Sequence, residues 1–260
     1  MRNKPSWYVP SSDASAIFRK SAALDYAVEC RRTGEHSRDF FDIVPLDAGE
    51  LRLFIGDAAA PSPIGAGIIT FGVRTYLSNL SVKPSGDLPA IVHGLNRALS
   101  GISPEDFYIT LFYAHIDPSR RNLRYISAGH EPVLLYRQSS NQIRRLENTG
   151  TVLGLSVRSI FRQKTVFVEP GDTLIASTAG VAETGTDGPP FREEDVVRVL
   201  NQYPHAGAAE LSVRIMDASE EFRRGHPISD DRTVLVVRWL DSGARSRDLE
   251  EVAELEMAAA

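Results

Sequence analysis

At 260 residues, with 42% hydrophobic and 24% charged side chains, the chain can bury one full core and has the composition of a soluble globular domain. No apolar run approaches the roughly 18 residues that span a bilayer. A net charge of -5, with arginine pairs scattered at Arg31-Arg32, Arg120-Arg121, Arg144-Arg145 and Arg223-Arg224, leaves no coherent basic face for nucleic acid. Neither a membrane nor nucleic acid is therefore expected as a partner. Cys30 is the only cysteine, so an intrachain disulfide is excluded; a reducing, cytoplasmic location and a buried or idle thiol are expected.

Met1 to Pro10 carries Arg2 and Lys4 but runs into polar residues around Ser11 to Ser15, so no secretory signal is expected. From Phe40 to Asp57 two β segments, Phe-Phe-Asp-Ile-Val and Leu-Arg-Leu-Phe-Ile, flank a turn at Leu46 to Glu50 with Asp47 and Gly49, which predicts a hairpin. Apolar residues at Ile64, Ile68, Gly72, Tyr76 and Leu80 predict a helix. Leu88, Ile91, Val92, Leu95 and Leu99 predict a second one after a break at Pro84 to Asp87. Phe107 to Val168 holds several β-rich runs separated by turn signals, among them Asp117-Pro118, Ala128-Gly129 and Ser139 to Asn141, and predicts an antiparallel meander. Thr173 to Thr178 predicts a strand, about Arg192 to Gln202 and Gly207 to Phe222 a helical pair, and Thr233 to Leu240 a closing strand. Strands alternating with paired helices, without a regular strand-helix-strand rhythm, predict an α+β domain of two antiparallel sheets sandwiched between helix pairs.

Three acidic sites stand beside strand ends: Asp39 with Asp42, Asp57, and Asp230-Asp231 ahead of Thr-Val-Leu-Val-Val. Hard divalent cations such as Mg²⁺ and Mn²⁺ take oxygen ligands, so carboxylates gathered at one sheet rim make a plausible site. Asp residues at strand ends are equally well read as turn formers. The six histidines form no i, i+4 pair and have no Cys partner, which argues against a structural zinc site. Neither a Gly-x-Ser-x-Gly elbow nor a phosphate-cradling glycine loop is present.

Arg38-Asp39-Phe40-Phe41-Asp42, Ile55-Gly56-Asp57, Phe107 to Tyr113, Ser127-Ala128-Gly129-His130 with Pro132, Pro170-Gly171-Asp172 and Asp230-Asp231-Arg232-Thr233 resemble, in order, the Gly-Asp-Phe-Tyr-Asp, Gly-Asp-Val-Ser-Gly, Phe-Val-Thr-Leu-Phe-Tyr, Asn-Ala-Gly-His-Asn-Pro, Pro-Gly-Asp and Asp-Asp-Ile-Thr motifs of the SpoIIE-type branch of the PPM phosphatases. The resemblance covers about Val28 to Trp239. It implies residues 28–240 as a PPM domain between a short N-terminal extension, 1–27, and a charged tail or short helix, 241–260. It also implies a hydrolase acting on phosphoserine or phosphothreonine through one or two Mn²⁺ or Mg²⁺ ions and a metal-activated water. Asp39, Asp57 and Asp230 match its catalytic metal ligands, with Asp57 bridging, and the Ala58 carbonyl matches a backbone ligand. The implied substrate is a phosphorylated regulatory protein such as an anti-sigma-factor antagonist. With few residues before the first motif no sensory module is expected, and regulation is expected from a partner, from expression, or not at all.

The chain departs from the family at four points. Ala179, in Ser177-Thr178-Ala179-Gly180, stands where the family has a metal-ligand Asp. Thr186-Asp187-Gly188 looks like that motif but falls eight residues later. Prolines 61 and 63 replace glycines after Asp57 and restrict the loop. Arg38 stands in place of Gly; it reads as a clamp for a substrate phosphate, as a filler of a vacated cation site, or as a surface arginine. His130 is read as loop packing. The alternative to an enzyme is a pseudophosphatase, a module that binds a protein in a partner-switching pathway without turnover.

Overall fold

The computed structural model describes residues 14–33, 37–60, 62–82, 87–101, 107–182, 191–222 and 230–241. Among these residues eleven strands form two fully antiparallel sheets. Sheet A, in the order β1-β2-β11-β10-β7-β8, comprises β1 (Ala14–Lys20), β2 (Leu24–Arg31), β11 (Arg232–Trp239), β10 (Thr173–Ser177), β7 (Val133–Arg137) and β8 (Gln142–Leu146). Sheet B runs β3 (Asp39–Pro45), β4 (Leu51–Ala59), β5 (Tyr108–Asp117), β6 (Asn122–Ala128) and β9 (Lys164–Phe167). Helices α1 (Pro63–Ser81) and α2 (Leu88–Ser100) cover sheet B, while α3 (Ala179–Ala182), α4 (Glu193–Gln202) and α5 (Ala208–Phe222) lie against sheet A. This is the α+β sandwich of two antiparallel sheets between helix pairs that the sequence predicts.

Burial follows from strand alternation. Leu53, Ile55, Phe112 and Ala114 point between the sheets to meet Val28, Leu235 and Val237. Phe54, Leu111 and Tyr113 point the other way, beneath Val73, Leu77 and Val92 of the helices. Successive residues serve opposite faces, as a pleated strand requires. The β3-β4 turn is built on Ala48 and Gly49, both at positive φ (57° and 75°), the region that glycine tolerates without steric cost. Ser62 caps α1 by accepting the Gly65 N–H at 3.0 Å, with Pro63 in the first turn; Asp87 caps α2 through the Ala90 N–H at 3.3 Å. Pro63 thus starts a helix, where its fixed φ and missing N–H cost nothing.

Three expectations change. Ile64 and Ile68 do not face the core: they are 62% and 68% exposed, Phe71 beside them is 72% exposed, and the buried stripe is Ala66, Thr70, Val73, Leu77 and Ser81. A strict i+4 series advances about 40° per step, so five such residues wind through about 160° of the helix circumference and cannot share one face. The run from Phe107 to Val168 is not one meander. The chain leaves sheet B after β6 at Gly129 (φ 63°), makes the β7-β8 hairpin in sheet A, and returns as β9. Sheet A also starts ahead of residue 28, because β1 pairs along β2 from Ala14↔Arg31 to Lys20↔Asp25. Residues 242–260 lie outside the described residues.

Candidate active site

Asp39 opens β3 and Asp57 lies near the end of β4, and the hairpin register sets them directly opposite one another. A cross-strand pair on one face brings two carboxylates within mutual influence. Sheet A meets them there. Asp39 is buried, and its Oδ2 accepts hydrogen bonds from Thr178 Oγ1 (2.8 Å), just past β10, and from Thr233 Oγ1 (2.6 Å) on β11. The Thr233 N–H donates in turn to Thr178 Oγ1 at 3.0 Å. The Asp57 N–H donates to Thr110 Oγ1 at 3.2 Å, while its Oδ1 is buried with no hydrogen-bond partner.

Electrostatically the two acids are strained. Burial, then the charge of Asp57, lifts Asp39 well above the usual carboxylate range despite the two threonine hydroxyls. Burial and the charge of Asp230 push Asp57 up to about 6, with Arg38 opposing the rise. Desolvation and like charge both disfavour the ionised form, and at Asp57 they outweigh the opposing charge of Arg38.

The two adjacent acids before β11 do different things. Asp231 is buried, with Oδ1 accepting from the Thr33 N–H (2.7 Å) and hydroxyl (3.1 Å) and Oδ2 accepting from the Arg38 N–H (3.0 Å). It ties the chain before β3 to sheet A. Asp230 is half-buried, accepts the Asp231 N–H at 2.9 Å, and acts on Asp57 through its charge. The main chain of Arg38 is fixed at both ends, since its carbonyl accepts the Ala58 N–H at 3.1 Å, and Ala58 is fully buried.

Ala179 follows β10 and opens α3, between Thr178, which bonds Asp39, and Gly180, where an added Cβ would lie 2.2 Å from the Asp231 carbonyl oxygen. Position 179 is therefore at the same rim. Asp187 lies outside the described residues. Asp42 faces α1 instead, accepting from Ser78 Oγ (2.7 Å) and the Ile43 N–H (2.9 Å). His130 is buried, with Nδ1 at 2.9 Å from the Glu131 carbonyl and burial pulling its pKa down to about 4, so it stays neutral as a packing residue.

Thr178, Thr233 and Thr110 had no functional reading in the sequence. The signal was available in the motifs themselves, where a threonine follows Ser177 and Arg232. The donor set suits one hard cation between Asp39 and Asp57, because Mg²⁺ is commonly held by one or two carboxylates and waters. Among the described residues no group of three or more His, Cys, Asp or Glu converges to hold a metal. Gly56 sets the spacing of the pair: a Cβ there would lie 2.2 Å from the Thr110 carbonyl oxygen and 2.5 Å from the Phe40 ring. Gly56→Ala is expected to cost about 3 kcal/mol, at the upper end of overpacking penalties, read as a lowered urea midpoint.

The architecture defines the class: it is the fold of PP2C-type protein phosphatase domains. The SiaA PP2C domain of Pseudomonas aeruginosa superposes with a TM-score of 0.70 at 18% identity, covering 82% of this chain and 85% of that one. The catalytic domain of the serine/threonine phosphatase PstP of Mycobacterium tuberculosis, solved with two manganese ions, gives 0.63 at 17% identity over 84% and 99%. Residues 47–240 match the sequence model of the Stage II sporulation protein E (SpoIIE) family, and the chain belongs to that family. It is 26% identical over 219 residues to the phosphoserine phosphatase RsbU of Bacillus subtilis, a match covering 83% of this chain and 63% of the length of RsbU. No helix among the described residues is long and apolar enough to cross a membrane.

Proposed function

We propose that the chain is a metal-dependent protein serine/threonine phosphatase that hydrolyses phosphoserine or phosphothreonine on a regulatory protein. The observation that carries this reading is the Asp39-Asp57 pair: two apposed, desolvated acids, one with a buried, unpartnered oxygen. Two such groups facing each other are costly unless a cation is their partner. Asp39, Asp57 and the Ala58 carbonyl would hold it, with Asp230 as the remaining acid on the side of Ala179. The chemistry supplied by a divalent cation bound there is a lowered water pKa and neutralisation of phosphoryl charge.

The chain's own residues set the rest. Thr178 and Thr233 orient the Asp39 carboxylate, and Asp231 holds the backbone of Arg38 so that its guanidinium stands beside Asp57. From there it can clamp the phosphoryl oxygens bidentately. The family resemblance supports a phosphorylated regulatory protein as the substrate, such as an anti-sigma-factor antagonist, met in the cytoplasm. Ala179 leaves the second-metal side one donor short, and this favours the second reading, a pseudophosphatase that binds its phosphoprotein without turnover.

Hydrolysis of para-nitrophenyl phosphate and of a phosphoserine peptide in millimolar Mn²⁺, against EDTA, separates the two. Turnover that needs Mn²⁺ is expected. Peptide binding without turnover at any Mn²⁺ concentration would establish the pseudophosphatase.

A further inference from the structure

We propose that Arg32 and Arg74 form an oxyanion subsite that receives the phosphoryl group of a phosphoserine peptide, in the cavity between β3 and α1 beside Asp39. The cavity measures about 440 Å³ and is lined by Arg32, Ser37, Asp39, Ile68, Phe71 and Arg74, among others. Assigning the phosphoryl group to a peptide rests on the phosphatase reading; the anion site itself does not.

The two arginines differ from their neighbours in what they lack. Arg31 pairs with Asp217 and Glu220, Arg137 with Asp172, and Arg52 donates to the Leu80 and Ser81 carbonyls. Arg32 Nε and Arg74 Nε and Nη2 are shielded from solvent with no hydrogen-bond partner, and neither residue forms an ion pair among the described residues. The carboxylate that acts on Arg74, Asp42, has both oxygens engaged by Ser78 and the Ile43 N–H. Burial, reinforced by the charge of Arg32 against the opposing pull of Asp42, lowers the proton affinity of Arg74. Its guanidinium is steadied over the Phe41 ring, 6.0 Å from the centroid.

Buried guanidinium nitrogens without hydrogen-bond partners are unfavourable, even with Asp42 acting on Arg74, and a phosphate monoester of charge about -1.5 to -2 at pH 7 supplies the missing acceptors. Planar guanidinium forks match phosphoryl oxygens. Asp39 lines the same cavity, but its Oδ2 is turned to Thr178 and Thr233 on the other sheet. Ile64, Ile68 and Phe71, the exposed side of α1, form an apolar rim. A peptide flanking the phosphoserine can cover that rim, whereas free phosphate cannot.

The test uses the full chain in EDTA, so that it is independent of turnover. Inorganic phosphate at about a hundred times its Kd is expected to raise Tm by roughly 5 °C, and a phosphoserine peptide to bind at least about tenfold tighter, with no response to the unphosphorylated peptide. Arg74→Met and Arg32→Met should each abolish the phosphate response. Arg74→Met should itself melt no lower than wild type, because it removes two buried nitrogens that have no hydrogen-bond partner. Arg74→Lys, which keeps the charge without the fork, should weaken the response, and Ile68→Ser should remove only the peptide's advantage. A phosphate response that survives both methionine variants, or is absent from wild type, overturns the subsite. Equal affinity for peptide and phosphate overturns the peptide assignment. Arginine-dependent phosphate binding in a protein without Mn²⁺-dependent turnover leaves the subsite standing and removes the phosphatase reading.

Discussion

Asp57→Asn is expected to have opposite effects on activity and stability. The substitution removes the acid best placed to meet a cation, so Mn²⁺-dependent hydrolysis should fall by about three orders of magnitude. The metal-free protein should become more stable at pH 7. Asp57 has a folded pKa of about 6 against about 3.9 unfolded. Between these values the folded state holds a proton that the unfolded state has released. Wild-type stability therefore declines as pH rises from about 4 to about 6, by up to about 3 kcal/mol. Asparagine has no such proton to lose. Urea unfolding in EDTA should show the variant ahead by about 3 kcal/mol at most at pH 7, and level with wild type below pH 4. Equal stabilities at pH 7 would mean that the Asp57 carboxylate is well solvated, and the reading of a cation-seeking pair would fail.

Ala179→Asp is expected to act in the other direction. It returns a carboxylate to the rim between Thr178 and Gly180, near Asp230 and Asp231, whose charges already raise Asp57. A second cation then has two donors, so kcat/KM with Mn²⁺ should rise about tenfold or more. Without metal the added negative charge joins an already repulsive group, and the variant should melt lower than wild type in EDTA and higher in excess Mn²⁺. A Mn²⁺ titration of Tm with parallel rates decides it. If neither affinity nor rate changes, position 179 is not equivalent to the ligand position of its relatives.

The hairpin carrying Asp39 and Asp57 was legible because its turn chemistry and alternation fix the register, and register alone makes the two acids neighbours. Helix α2 was legible because its apolar residues follow mixed i+3 and i+4 spacing. The i+4 series of α1 predicted the helix but not which side is buried. The crossing of the chain between sheets at Gly129 was hidden, since a turn between β runs looks the same whether the next strand stays in its sheet or leaves it. Of the pair Asp230-Asp231, sequence could not say which side chain would be taken up by Thr33 and Arg38. Arg32 and Arg74 were invisible as a pair because only the packing of α1 against β3 brings a strand-following arginine and a helical one to a single cavity.

The bonds from Thr178 and Thr233 to one oxygen of Asp39 act as a clasp between the two leaves of the sandwich. A cation that draws on Asp39 either uses the remaining oxygen or loosens the clasp, so affinity for the ion and the stiffness of the seam pull against each other. Hydroxyl-free replacements at the two threonines would free the carboxylate and, by the same stroke, let the leaves breathe at this seam.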